Sequence, residues 1–215
     1  MKNLVVNMRP RRAALIVGTA FVVSVIIVTL VDDFLLANFV VPGNIEALAN
    51  DIANNPASLW LASTGYLIVL GLDAIIGLAL YFVLRPFNKP LALITGALRI
   101  LYAGVLMVGV LALLFQIVDT YGYATIKSVG YVLFALHIFL LGYAVIMSGY
   151  IPKLIGVFLI MASFTYIIFF VDIDLPEVAA LLTMLIMAGA ELVLSVWLLV
   201  KRNSLPERAF AASTQ

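Results

Sequence analysis

Six long apolar runs, parted by short polar or basic stretches, make up most of this chain. They read approximately as 13–33, 58–84, 90–118, 125–147, 153–172 and 177–200. Each reaches about the 20 residues that a helix needs to cross a hydrocarbon core of about 30 Å. In lipid, every backbone N–H and C=O must be satisfied inside the protein, so runs of this length predict helices. The expected fold class is all-α: a polytopic membrane protein with six transmembrane helices in one bundle, forming a single domain over 1–215. The longest interruption separates the first two runs. There Pro42-Gly43 predicts a turn, Asn44 an N-cap, and Asn54-Asn55-Pro56 a stop. Ile45, Leu48 and Ile52 recur at helical spacing, so a short outer helix is expected over 44–54, lying on the interface or covering the bundle mouth.

Threading six spans divides the charges. Ten of the twelve Lys and Arg residues fall on one side: Lys2, Arg9, Arg11, Arg12, Arg85, Lys89, Lys153, Lys201, Arg202 and Arg208. Lys127 lies opposite and Arg99 within a span. The positive-inside rule makes the crowded side, with both termini, cytoplasmic. Eight of the eleven acids, Asp32, Asp33, Glu46, Asp51, Asp119, Asp172, Asp174 and Glu177, fall on the outer side. The first span follows an Arg-rich start, but its apolar run is longer than a signal-peptide core and has no clear small-residue cleavage site, so it reads as a retained anchor.

With 65% hydrophobic and 11% charged residues, a water-soluble fold is excluded, and membrane lipids are the expected surroundings. A net charge of +1 supplies no field for nucleic acid, and the absence of cysteine removes disulfides and thiolate chemistry. A faint internal echo occurs at a spacing of 62 residues, where Tyr81, Val83 and Pro90 match Tyr143, Val145 and Pro152. Each set spans a helix end and a turn on the basic side, as a repeated hairpin would.

The informative residues are four ionisable side chains inside spans: Asp73, Arg99, His137 and Glu191. At 1.5 Å per residue from the nearest basic turn, they sit about 15 to 18 Å deep, at one height near the bilayer centre. An Asp or Arg left there facing lipid costs roughly 2.5 to 3.5 kcal/mol, so all four are expected to turn inward. Arg99 would pair with Asp73 or Glu191, and His137 with the remaining carboxylate. With both acids ionised and His137 neutral the group carries one net negative charge, and it could hold one exchangeable proton. Helical spacing extends the polar face: Tyr66 and Tyr81 flank Asp73, Thr95 and Tyr102 flank Arg99, and Thr183, Met187 and Ser195 share a stripe with Glu191.

Intramembrane charges are functional candidates by default, and this set suits binding of a small polar or anionic solute, with Arg99 as the anion-binding group and Glu191 with His137 as the exchangeable pair. The competing reading is a structural or regulatory protein whose buried pairs only fix helix register. An intramembrane enzyme acting on lipid would need a water-filled path to the cluster. No cofactor or metal is expected. The single histidine excludes a bis-histidine haem, no lysine lies mid-span for a Schiff base, and Arg99 would repel a metal held by Asp73, His137 and Glu191. No Gly-x-Ser-x-Gly elbow or phosphate-binding glycine loop is present.

The segments VPGNIEALANDI, GLDAIIGLALYFVLRPFNKPLALITGALRI, FALHIFLLGYAVIMSGYIPKLIGVFLI and AELVLSVWLLVK, in that order, resemble the multi-pass membrane family catalogued as domain of unknown function number 4386. The likeness runs over nearly the whole chain. It implies a small six-span protein, mostly bacterial and so of the inner membrane, and brings no reaction or catalytic residue with it.

Overall fold

The structure is a computed structural model that describes residues 8–34, 45–171 and 176–206. The turn expected at Pro42-Gly43, the Asn44 cap, and Lys2, Asp172, Asp174 and Arg208 lie outside the described residues, as do the side chains of Asp32, Asp33 and Glu177.

All regular structure among the described residues is helical. The helices are α1 (Pro10–Phe34), α2 (Ile45–Asn54), α3 (Pro56–Leu84), α4 (Lys89–Leu114), α5 (Thr120–Ser148), α6 (Lys153–Val171) and α7 (Glu177–Lys201), with a short 3₁₀ turn at Arg202–Ser204. Five of them, α1, α3, α4, α5 and α7, are long and apolar enough to cross a membrane, which makes this a multi-pass membrane protein. The apolar stretch of α6 is shorter, covering Lys153–Ile167.

Local chemistry sets the boundaries. Asn88 caps α4 by accepting the Leu91 N–H at 3.0 Å, with Pro90 in the first turn where its missing donor costs nothing. Gly149 ends α5 in the left-handed conformation at φ 75°, which glycine adopts without strain. One connection is tighter than the apolar pattern suggests. α4 ends at Leu114 and α5 starts at Thr120, because Asp119 accepts the Gly122 N–H at 2.8 Å and starts the helix five residues before its apolar stripe.

The six longer helices form a closed ring in the order α1, α3, α4, α5, α6, α7 and back to α1. The α5–α6 and α3–α4 hairpins make the most extensive seams, and α7 closes the ring through the two thinnest. Two pairs of glycines allow the hairpins to close. A Cβ on Gly77 would stand 2.9 Å from the Gly96 carbonyl oxygen, and one on Gly96 2.7 Å from that of Gly77. Gly142 and Gly156 oppose each other in the same way, at 2.7 and 2.6 Å. Small residues at such crossings let helix backbones touch, the main source of packing energy where lipid competes for every apolar contact.

One end of the ring gathers Arg9, Arg11, Arg12, Arg85, Lys89, Lys153, Lys201 and Arg202 around the helix termini. Tyr150, in the α5–α6 turn, donates its hydroxyl to the Val83 carbonyl at 2.8 Å and ties the two hairpins together there. The interior splits into two apolar clusters. The one toward the basic end includes Ala13, Val17, Ile76, Leu80, Ile138, Leu141, Leu159 and Leu198. The other includes Val31, Leu59, Leu70, Leu106, Leu113 and Tyr123, with Leu48 of α2 buried in it and Ile52 packed beside it. Thus α2 rests on α3 and α5 over the end opposite the basic one. Outward faces are as apolar as inward ones. On α3, Leu61, Ile68 and Ile75 are exposed at seven-residue spacing, as lipid-facing positions are.

Candidate functional site

The register of the α3–α4 hairpin brings the first two charges together. Gly77 and Gly96 are symmetric about the Pro86–Phe87 step, so one turn beyond the crossing Asp73 and Arg99 must meet. Arg99 is fully buried. Its Nε and Nη2 donate to Asp73 Oδ1 at 3.0 and 2.5 Å, and its Nη1 donates to Glu191 Oε1. Glu191 belongs to α7, which does not neighbour α4 in the ring. Two long side chains therefore bridge the ring's interior between helices whose backbones are not packed together.

His137 completes the group from α5. Its Nδ1 lies 2.8 Å from the Thr95 carbonyl oxygen, which can only accept, so Nδ1 carries the proton. Nε2 then turns its lone pair toward Arg99 Nη1 at 3.4 Å, a longer and weaker contact. This differs from the expected pairing of His137 with a carboxylate. The physical reason is donor supply: a guanidinium fork carries five N–H groups and holds both acids, leaving the single imidazole donor for a backbone carbonyl.

Among the supporting residues, Thr95 is buried beside Arg99, with its hydroxyl donating to Leu91 O at 2.8 Å. The Tyr102 ring packs on Phe134 with centroids 4.3 Å apart. Thr183 satisfies its hydroxyl on Ala179 O at 2.8 Å, within its own helix, and Ser195 is buried one turn beyond Glu191 beside Gly18 of α1. Two tyrosines sit elsewhere. Tyr66 is buried in the apolar cluster away from the basic end, while Tyr81 stacks edgewise on Phe82 with the Arg85 guanidinium 5.9 Å from its ring.

Sequence reasoning missed an aromatic patch. The Arg99 guanidinium stands 5.2 Å from the Phe134 ring centre, within cation–π range. Phe134 also meets His137 at 5.6 Å and Tyr166 of α6 at 4.9 Å, and Tyr166 lies 6.1 Å from Tyr131. Phe134 is three residues before His137 on the same helix face, and that spacing could have found it. Tyr166 carried no comparable signal, since its placement follows from the Gly142–Gly156 register.

Chemically, the site is an arginine shared by two carboxylates, with a neutral imidazole and several aromatic rings alongside. It offers carboxylate and imidazole acceptors around one shared guanidinium. Among the described residues no group of three or more His, Cys, Asp or Glu side chains is placed to hold a metal.

A relative described as an uncharacterized protein, from Archaeoglobus fulgidus, is 38% identical over 104 residues, covering 48% of this chain and 62% of that one. The chain thus spans about three fifths of that relative's length. No solved structure matches it. The family model described as Domain of unknown function (DUF4386) matches residues 16–201, nearly the whole of the helical ring, and the chain belongs to that family.

Proposed function

We propose that this is a six-span protein of the cell membrane whose central cluster of Asp73, Arg99, His137 and Glu191 binds a small polar solute, with Glu191 exchanging a proton as the solute enters or leaves. In this reading the shorter α6 also crosses the membrane, as the fifth of six spans, the basic end and both termini are cytoplasmic, and α2 covers the outer mouth. The charge distribution supports the orientation, through eight described basic residues at one end of the ring.

One observation carries the solute reading: the Arg99–Glu191 bridge crosses the interior between helices that are not neighbours. A pair serving only helix packing would lie in a seam, as the glycine pairs do. The α5–α6 seam, the most extensive in the ring, closes without an ion pair among its described residues. The competing structural reading draws on the same bridge, because α7 is the most thinly seamed helix and Glu191 ties it to α4.

Native mass spectrometry of protein taken gently from membranes separates the two. The comparison is wild type against a triple variant, Asp73→Leu, Arg99→Leu and Glu191→Leu combined, since wholesale apolar replacement of a buried ion network is often tolerated. The solute reading expects a small molecule bound to the wild type and absent from the folded triple variant. A clean wild-type spectrum with a triple variant that no longer assembles would favour the structural reading.

A further inference from the structure

The ligand class follows from which parts of the cluster are covered. The Arg99 side chain is 2% exposed, against 9% for Asp73 and 11% for Glu191. All the hydrogen bonds that reach these acids from described residues go to Asp73 Oδ1 and Glu191 Oε1. Asp73 Oδ2 and Glu191 Oε2 are left as acceptors, on side chains less deeply covered than the guanidinium between them. Both side chains point into the ring, since Leu70 and Ile76 beside Asp73, and Ala190 and Leu194 beside Glu191, are buried. The guanidinium is thus more deeply enclosed than either carboxylate that holds it. An entering anion would meet acceptors and negative charge before it met Arg99.

We propose that the cluster takes a small monovalent cation carrying N–H donors, such as a protonated primary amine. This rests on the reading of the cluster as a solute site and names the solute's class. Charge balance sets the valence. Two carboxylates against one guanidinium leave one negative charge, His137 adds none in the tautomer its contacts require, and one positive charge neutralises the group. A divalent ion would overshoot beside the fixed guanidinium. The aromatic wall fits an alkylammonium: Tyr131 and Tyr166 stand 6.1 Å apart and inclined at 60°, and Tyr166 packs at 4.9 Å on Phe134, whose ring centre is 5.2 Å from the Arg99 guanidinium. An amine would donate to Asp73 Oδ2 and Glu191 Oε2 and rest its carbon stem against those rings.

The test is binding of radiolabelled methylammonium to the full-length protein in nanodiscs, with ethylammonium, sodium and acetate as competitors. Saturable binding displaced by ethylammonium and untouched by acetate is the expected result, and displacement by sodium also supports a monovalent-cation site. Glu191→Gln is expected to weaken binding about tenfold or more, the usual weight of a hydrogen bond to a charged group. Tyr166→Leu, which removes the ring, should weaken it a few-fold and decides the matter if the glutamine variant does not fold. Unchanged affinity in folded Glu191→Gln protein, or in Tyr166→Leu where the glutamine variant fails, overturns the proposal. Saturable acetate binding in its place overturns the cation and leaves the solute site standing. No saturable binding of either ion overturns the cation, and a clean native mass spectrum with it removes the solute reading as well.

Discussion

The hairpins α3–α4 and α5–α6 are built on one plan and differ in their contents. Each turns at the basic end, and each closes on a glycine pair at which the backbones touch. The two turns are joined by the Tyr150–Val83 hydrogen bond, and the 62-residue echo in the sequence falls on these hairpins. Yet α3–α4 buries Asp73 against Arg99, whereas the interior of α5–α6 near its own crossing is Leu141, Val145, Ile155 and Leu159. Pairing two helices in this bundle therefore needs close backbones and apolar fill. The charge in the first hairpin answers to something across the ring.

Arg99→Ala should break the symmetry hardest, since it strands two acids in the interior. The expected loss is about 3 to 5 kcal/mol, read as a collapse of the unfolding midpoint in lipid nanodiscs. Next, Gly77→Ala and Gly142→Ala should cost similar amounts, about 1 to 3 kcal/mol each, because both press a methyl group on a backbone carbonyl. A large cost in one hairpin only would mean that the two crossings are not equivalent.

Smaller still is Tyr150→Phe, which removes the link between the hairpins at about 1 kcal/mol. Burial raises the Tyr150 hydroxyl above its ordinary value. The folded state thus favours the neutral phenol, and its contribution is complete below the ordinary value of about 10 and is lost as pH rises beyond it. Unfolding of the wild type followed into that alkaline range should fall more steeply than that of the phenylalanine variant. The smallest net change is expected for the triple leucine variant, which makes the first hairpin resemble the second. Stability within about 1 kcal/mol of wild type would show that the charges do not hold the ring together.

Much of this was legible in the sequence. Run length alone placed the helices, and counting residues from the basic turns put Asp73, Arg99, His137 and Glu191 at one depth before any contact was known. Partner choice was not legible, because it depends on helix rotation and on how many donors each group can spend. His137 went to the Thr95 carbonyl once Arg99 had taken both acids. The early start of α5 was hidden for a different reason: its first turns carry Thr120, Tyr121 and Gly122, polar or small residues that only the Asp119 cap marks as helical. The Asp73–Arg99 contact could have been read further than it was, since Gly77 and Gly96 are symmetric about their turn.

The order in which these charges leave the ribosome gives the hairpin one more role. Asp73 and Arg99 are made within one helical hairpin, so the pair can enter the bilayer as an electrically balanced unit, relieved of most of the penalty a lone arginine would meet at the insertion channel. Glu191 follows 92 residues after Arg99, on α7, and meets a guanidinium already matched by one acid. Until α7 is threaded into place the guanidinium is balanced by Asp73 alone, and the insertion of α7 brings the second acid to it.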